Sequence, residues 1–118
     1  MAANRPKGTR DFLPETMAAR QQVIQTVRKT FELFGFGELQ TPAFERIETL
    51  TGKYGDETDK LMFKIIKRGS GSENGECDMA LRYDLTVPLA RVMAMNPDIR
   101  TPFKRYQIQP VWRAERAQ

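Results

Sequence analysis

Two short constellations in this 118-residue chain carry side chains that do chemistry. The first is Arg113-Ala114-Glu115, inside the run Lys104-Arg-Tyr-Gln-Ile-Gln-Pro-Val-Trp-Arg-Ala-Glu-Arg116. Read with a two-residue period, Tyr106, Ile108, Pro110, Trp112 and Ala114 share one face, while Arg105, Gln107, Gln109, Val111, Arg113 and Glu115 share the other. A guanidinium and a carboxylate two positions apart on a strand suit the floor of a cleft that holds an anion and a hydrogen-bonding ring. An ordinary half-solvated strand gives the same alternation, because antiparallel sheets commonly face water on one side. The second constellation is Asp84 and Thr86, in Leu81-Arg-Tyr-Asp-Leu-Thr-Val-Pro-Leu-Ala-Arg91, where a strand hands over to a helix. Either residue can cap the helix, a contribution of about 1 kcal/mol. Facing a cleft instead, the pair would offer a carboxylate and a hydroxyl to a ligand ammonium.

The elements around these residues follow from periodicity. Residues 4–14 read as an extended entry segment, punctuated by Pro6, Gly8 and Pro14. A helix is expected from about Thr16 to Phe34, since Met17, Val23, Ile24, Val27, Phe31 and Phe34 form one apolar stripe. Gly35 is a suitable stop. A short strand over Phe36–Pro42 follows, then a polar helix or loop from Glu45 to Lys60. Leu61–Lys67 and Met79–Arg82 read as strands. The glycine-rich run between them lacks the Gly-Lys-Ser/Thr ending of a phosphate-binding loop and reads as an exposed hairpin connection. A second helix is expected over Thr86–Met95, closed by Asn96-Pro97, and a last strand over Phe103 to about Glu115. The mixture and the short connections predict an α+β fold, an antiparallel sheet flanked by helices.

Composition narrows the chemistry. With 40% hydrophobic and 29% charged residues, the chain reads as one soluble globular domain, long enough to bury a core without disulfides or a structural metal. No apolar stretch approaches the roughly 20 residues of a membrane helix, and the N-terminus lacks the apolar core of a signal peptide. Cys77 is the only cysteine and histidine is absent, which excludes an internal disulfide, a Ser-His pair and a Cys-His pair, and argues against zinc. A reducing cytoplasm is the expected compartment. The net charge of +4 comes from the second half, where residues 61–118 hold ten basic and six acidic side chains. That bias suits a polyanionic partner.

Four separated blocks carry a resemblance along nearly the whole chain. They are Pro6-Lys-Gly-Thr-Arg-Asp-Phe-Leu-Pro14, Gly35-Phe-Gly-Glu-Leu-Gln-Thr-Pro42, Leu81-Arg-Tyr-Asp-Leu-Thr-Val-Pro88 and Lys104 to Arg116. In that order they resemble the N-terminal part of the histidyl-tRNA synthetases, class II aminoacyl-tRNA synthetases. By this resemblance the helix and strand ending at Pro42 correspond to motif 1, the dimer interface, and the last strand to the first half of motif 2. The resemblance implies that Arg113 contacts the α-phosphate of ATP and the histidine carboxylate, and that Glu115 accepts from the adenine amino group. Asp84 and Thr86 would hold the α-amino group of histidine. ATP would be a substrate, with Mg2+ accompanying it. Such an enzyme needs no protein nucleophile, because the amino acid's own carboxylate attacks.

The blocks stop within motif 2. Neither motif 3 nor an anticodon-binding domain is represented, so residues 1–118 are expected to be an N-terminal fragment of the catalytic domain, inactive alone. The complete enzyme would be a cytoplasmic homodimer acting on histidine, ATP and tRNA-His, with no membrane association. Two other readings fit the residues. One is a synthetase-like regulatory subunit of ATP phosphoribosyltransferase, against which intact Arg113 and Glu115 argue. The other is a small dimeric interaction or nucleic-acid-binding module, which the basic second half and open strand edges favour but which lacks the aromatic–basic interleaving of stacking platforms.

Overall fold

The computed structural model describes residues 2–52 and 55–115. Helix α1 spans Pro14–Leu33, with Pro14 in its first turn, where a missing N–H costs nothing, and Glu15 beside the positive end of the helix dipole. It ends where Gly35 adopts φ +84, which lets the Phe36 N–H reach back to the Phe31 carbonyl at 3.0 Å. The chain turns directly into β1 (Gly37–Glu38), which pairs in parallel with β5 (Arg105–Tyr106). Tyr106 is buried at this junction. Its ring stacks on Phe31, with centroids 5.3 Å apart and planes 5° from parallel. Its hydroxyl donates to Glu32 Oε1 at 2.7 Å.

A second sheet has the order β2-β4-β3, all antiparallel, from β2 (Phe44–Arg46), β3 (Lys64–Ile66) and β4 (Cys77–Leu81). Strands β3 and β4 form a hairpin closed by Lys67 N–H to Glu76 carbonyl at 2.8 Å. Short helices α2 (Ile47–Thr51) and α3 (Gly55–Asp59) connect β2 to β3, and α4 (Thr86–Met95) follows β4. The core lies between this sheet and its helices: Leu50, Met62, Ala80 and Tyr83, with Ile47, Leu61 and Val87 packed around them. The Tyr83 hydroxyl donates to the Leu50 carbonyl at 2.8 Å inside it. Arg91 on α4 gives its Nε–H to the buried carboxylate of Glu45, at 3.0 and 2.8 Å to the two oxygens, and so ties α4 to β2.

Besides the Phe31–Tyr106 stack, an ion pair joins helix α1 to β1. Arg28 Nη1 lies 2.5 Å from Glu38 Oε2, and this bond holds the Glu38 carboxyl below the usual carboxylate range. A depressed carboxyl contributes stability above its unfolded pKa and loses it as the pH falls through its folded one. The difference in thermal midpoint between the wild type and Glu38→Gln, present at neutral pH, is therefore expected to shrink as the pH falls below the ordinary glutamate range. A gap independent of pH would show that the pair does not anchor the helix.

The structure corrects several of the sequence expectations. The helix over 14–33, the hairpin and the helix over 86–95 stand where periodicity put them. The last strand does not run from Phe103 to Glu115. Its ladder is confined to β5, and it is parallel to β1, so antiparallel pairing holds for the three-stranded sheet alone. The polar stretch from Glu45 contains the end of β2, hidden from pattern reading because two of that strand's three residues are charged. The stripe on α1 is not a packed face: Val23 is 65% and Phe34 63% exposed. The core is correspondingly small. The Cα radius of gyration of 17.5 Å exceeds the roughly 13.5 Å of a compact globule this long. Arg116, which ends the last of the four blocks, lies outside the described residues.

Candidate functional site

Residues 107–114 continue beyond β5 as extended chain without a ladder, so other bonds must position Arg113. The Trp112 N–H donates to the Arg82 carbonyl at 3.0 Å and the Ala114 N–H to the Leu61 carbonyl at 2.8 Å. Arg113 itself gives its Nε–H to the Tyr83 carbonyl at 3.1 Å, which aims the rest of the guanidinium away from the main chain. Its Nη1 lies 3.6 Å from Glu115 Oε1, and both side chains are about half exposed (52% and 54%). The shared face expected from the two-residue period is therefore observed. A half-exposed ion pair contributes little, about 0–1 kcal/mol, so a ligand can exchange it for its own contacts at small cost.

Arg113 and Glu115 line a cleft of about 1310 Å³. Phe12, Phe63, Leu81, Val111 and Trp112 give it apolar walls, and the entry segment from Pro6 to Arg10 closes one side. Asp84 and Thr86 are not among its lining residues. They stand at the start of α4, connected to Arg113 through Tyr83, which precedes Asp84 and whose carbonyl holds the Arg113 guanidinium. Asp84 Oδ1 accepts the Val87 N–H at 3.1 Å, so the capping role open in the sequence is taken by Asp84, while Thr86 is exposed. A carboxylate accepts through two oxygens, and capping through one leaves the other available to a ligand ammonium. Burial pushes the Tyr83 phenol above its ordinary range, and the nearby Asp84 charge adds to the shift. Pro42 is exposed, and its carbonyl accepts from Arg82 Nη1 at 2.7 Å.

Three residues that pattern reading did not single out build the support. Arg82 is 2% exposed, and burial lowers its pKa from the usual arginine range while Glu45 opposes that shift. Gln109 pairs its carboxamide with the main chain of Thr41, accepting from the N–H and donating to the carbonyl at 3.1 Å each, as a neighbouring strand would. Gln107 donates to Thr41 Oγ1 at 2.8 Å and to Gln109 Oε1 at 2.6 Å. The two glutamines share the Arg113 face of the alternation, which was the available signal. A buried arginine has none, because charged side chains are seldom buried unless partnered.

Among the described residues no group of three histidine, cysteine, aspartate or glutamate side chains is gathered to hold a metal ion. Among them, too, no helix is long and apolar enough to cross a membrane.

Comparison with known proteins gives this geometry a family. The family model described as histidyl-tRNA synthetase matches residues 8–118. A histidine–tRNA ligase of Phocaeicola vulgatus is 51% identical over 130 aligned positions, covering 96% of this chain and 29% of the relative. One from Bacteroides fragilis is 50% identical with the same coverage. The chain thus spans under a third of the length of these relatives. Among solved structures, the histidyl-tRNA synthetase of Nostoc sp. PCC 7120 superposes with a TM-score of 0.79 at 34% identity, over 95% of this chain and 25% of that one. A protein of Bacillus halodurans C described as an ATP phosphoribosyltransferase regulatory subunit/histidyl-tRNA synthetase matches with a TM-score of 0.79 at 27% identity, over 96% of this chain and 28% of that one. With the matched span reaching from the entry segment through Arg113 and Glu115, the chain belongs to the histidyl-tRNA synthetase family.

Proposed function

We propose that this chain carries one wall of a histidine-activating site, in an enzyme that makes histidyl-adenylate from histidine and ATP and passes the histidyl group to tRNA-His. The observation that carries this reading is Arg113, fixed at 3.1 Å by the Tyr83 carbonyl and paired with Glu115 at the edge of a cleft with aromatic walls. Attack of the histidine carboxylate on the α-phosphorus builds charge on the phosphoryl oxygens. A guanidinium held by its Nε still has two NH2 groups with which to stabilise that charge in a bidentate way. Glu115, released from Arg113 by the incoming phosphate, would accept from the adenine amino group. Asp84 and Thr86 would take the histidine ammonium. Magnesium is expected to arrive with the nucleotide phosphates, and none of these side-chain roles runs through it.

The same reading makes Pro42 part of a homodimer interface formed with motif 1, in a cytoplasmic enzyme with no membrane association. Arg113 and Glu115 favour it over a regulatory subunit, since a protein that only senses histidine has no use for an adenine contact. Calorimetric titration of the chain with histidine, with ATP and with both is the direct test. Binding of histidine in preference to other amino acids, strengthened by ATP, would show a usable half-site; heats indistinguishable from dilution for every ligand would make the segment a scaffold piece whose function resides only in the complete synthetase. In a full-length ligase carrying this segment, Asp84→Asn is expected to raise the KM for histidine about tenfold, the scale of one charged hydrogen bond, and to leave that for ATP nearly unchanged. Equal shifts in both would assign Asp84 to capping alone.

A further inference from the structure

The segment that bears Arg113 is held by very little main chain. Beyond Tyr106 it has no partner strand among the described residues, and Pro110 has no N–H to offer. Side chains span the gap: Gln107 and Gln109 reach Thr41, and Arg82, the residue after β4, reaches both segments. Arg82 donates Nε–H to the Pro110 carbonyl at 2.9 Å, and Nη1 to the carbonyls of Thr41 at 3.0 Å and Pro42 at 2.7 Å. Its guanidinium carbon lies 5.5 Å from the centroid of the Trp112 ring. Its own carbonyl receives the Trp112 N–H, and the next carbonyl, that of Tyr83, receives Arg113 Nε. A buried cation needs partners, and those of Arg82 are three carbonyl dipoles and an aromatic face, drawn from two separate segments.

We infer that Arg82 is a positioning residue for Arg113: its guanidinium clamps Pro110 and Trp112 against Thr41-Pro42, and so sets the register in which Arg113 meets the Tyr83 carbonyl. The inference rests on the reading of Arg113 as the phosphate contact, and it adds a residue that touches no ligand. A planar fork with fixed donor directions is required, which a lysine ammonium on a flexible stem does not supply. A merely structural arginine would lower stability when removed but leave Arg113 bonded to Tyr83.

The test follows the Arg113 Nε–H by nitrogen-15 NMR in the full chain, with Arg82→Lys and Arg82→Gln. Hydrogen exchange at Arg113 Nε is expected to accelerate at least about tenfold in both variants while α1 and α4 keep their helical signal, because the bond opens locally. A folded Arg82→Lys with unchanged Arg113 exchange would overturn the inference. If neither variant folds, the wild type decides it: the Nε–H groups of Arg82 and Arg113 are expected to lose protection together at low denaturant. Arg113 opening while Arg82 stays protected would refute the coupling. A parallel titration with ATP, followed through Trp112, the single tryptophan, separates the two claims. Accelerated Arg113 exchange in the variants, with wild type and variants all ignoring ATP, keeps Arg82 as the positioning residue and removes the phosphate role from Arg113. Binding that weakens about tenfold with Arg82→Lys supports both, given the bidentate contact at stake.

Discussion

Replacing Arg113 by alanine in a full-length ligase that carries this segment is expected to slow histidine-dependent pyrophosphate exchange by about 10²–10³-fold, the cost of losing one preorganised donor to transition-state charge. The loss should fall on kcat more than on either KM, because the phosphoryl oxygens gain charge only as the carboxylate attacks. Arg113→Lys retains the charge and loses the fork, so it should recover only part of the rate. The Tyr83 carbonyl would also lose the planar Nε–H it now receives at 3.1 Å. A decrease below about tenfold for alanine would fall outside the range for such contacts and would remove Arg113 from this role.

The second large effect is on stability. Leu50 is 2% exposed, at the centre of a core that otherwise holds Met62, Ala80 and Tyr83. Leu50→Ala should cost about 2–5 kcal/mol, the transfer loss plus the cavity left behind. For a typical domain stability of about 5–15 kcal/mol this is a large share, and so small a core has few neighbours to collapse into the gap. The Tyr83 hydroxyl bond to the Leu50 carbonyl survives the change, so the loss reports packing alone. Phe34→Ala is the matched control. Its side chain is exposed, and a surface substitution of this kind is expected to stay within about 0.5 kcal/mol. Urea denaturation midpoints that move equally for the two variants would show that the cluster around Leu50 is not the core.

How much of this was legible in the sequence depends on the range of the forces involved. The boundaries of α1, the hairpin and α4 are set by local chemistry: Pro14 and Gly35, the polar glycine-rich turn, Pro88 and Asn96-Pro97. All were readable. The two-residue period also put Arg113 and Glu115 on one face, where they lie 3.6 Å apart. Outside that hairpin, the partners of the strands were not readable. The Phe103–Glu115 stretch has the alternation of a long strand, yet Pro110 lacks a donor and side chains of Gln109 and Arg82 take over the bonding. The stripe on α1 predicts a buried face from amphipathicity, but a period states only which residues share a side and not what covers it. Asp84 illustrates the same limit, since a cap and a ligand contact demand the same residue at the same place.

The parallel pairing of Gly37 with Arg105 has a consequence for the order of assembly. Strands β3 and β4 meet across a tight connection, and α1 needs only its own turns, so both can form within a short stretch of newly made chain. The contact between β1 and β5 closes a loop of almost seventy residues, and its entropy must be met before any reward is collected. On a chain made from its N-terminus, Phe31 and Glu38 wait for Tyr106 while everything between them is synthesised. The arginine proposed to hold the phosphate lies beyond that closure in the chain, so its segment is expected to be placed later than α1 and the hairpin.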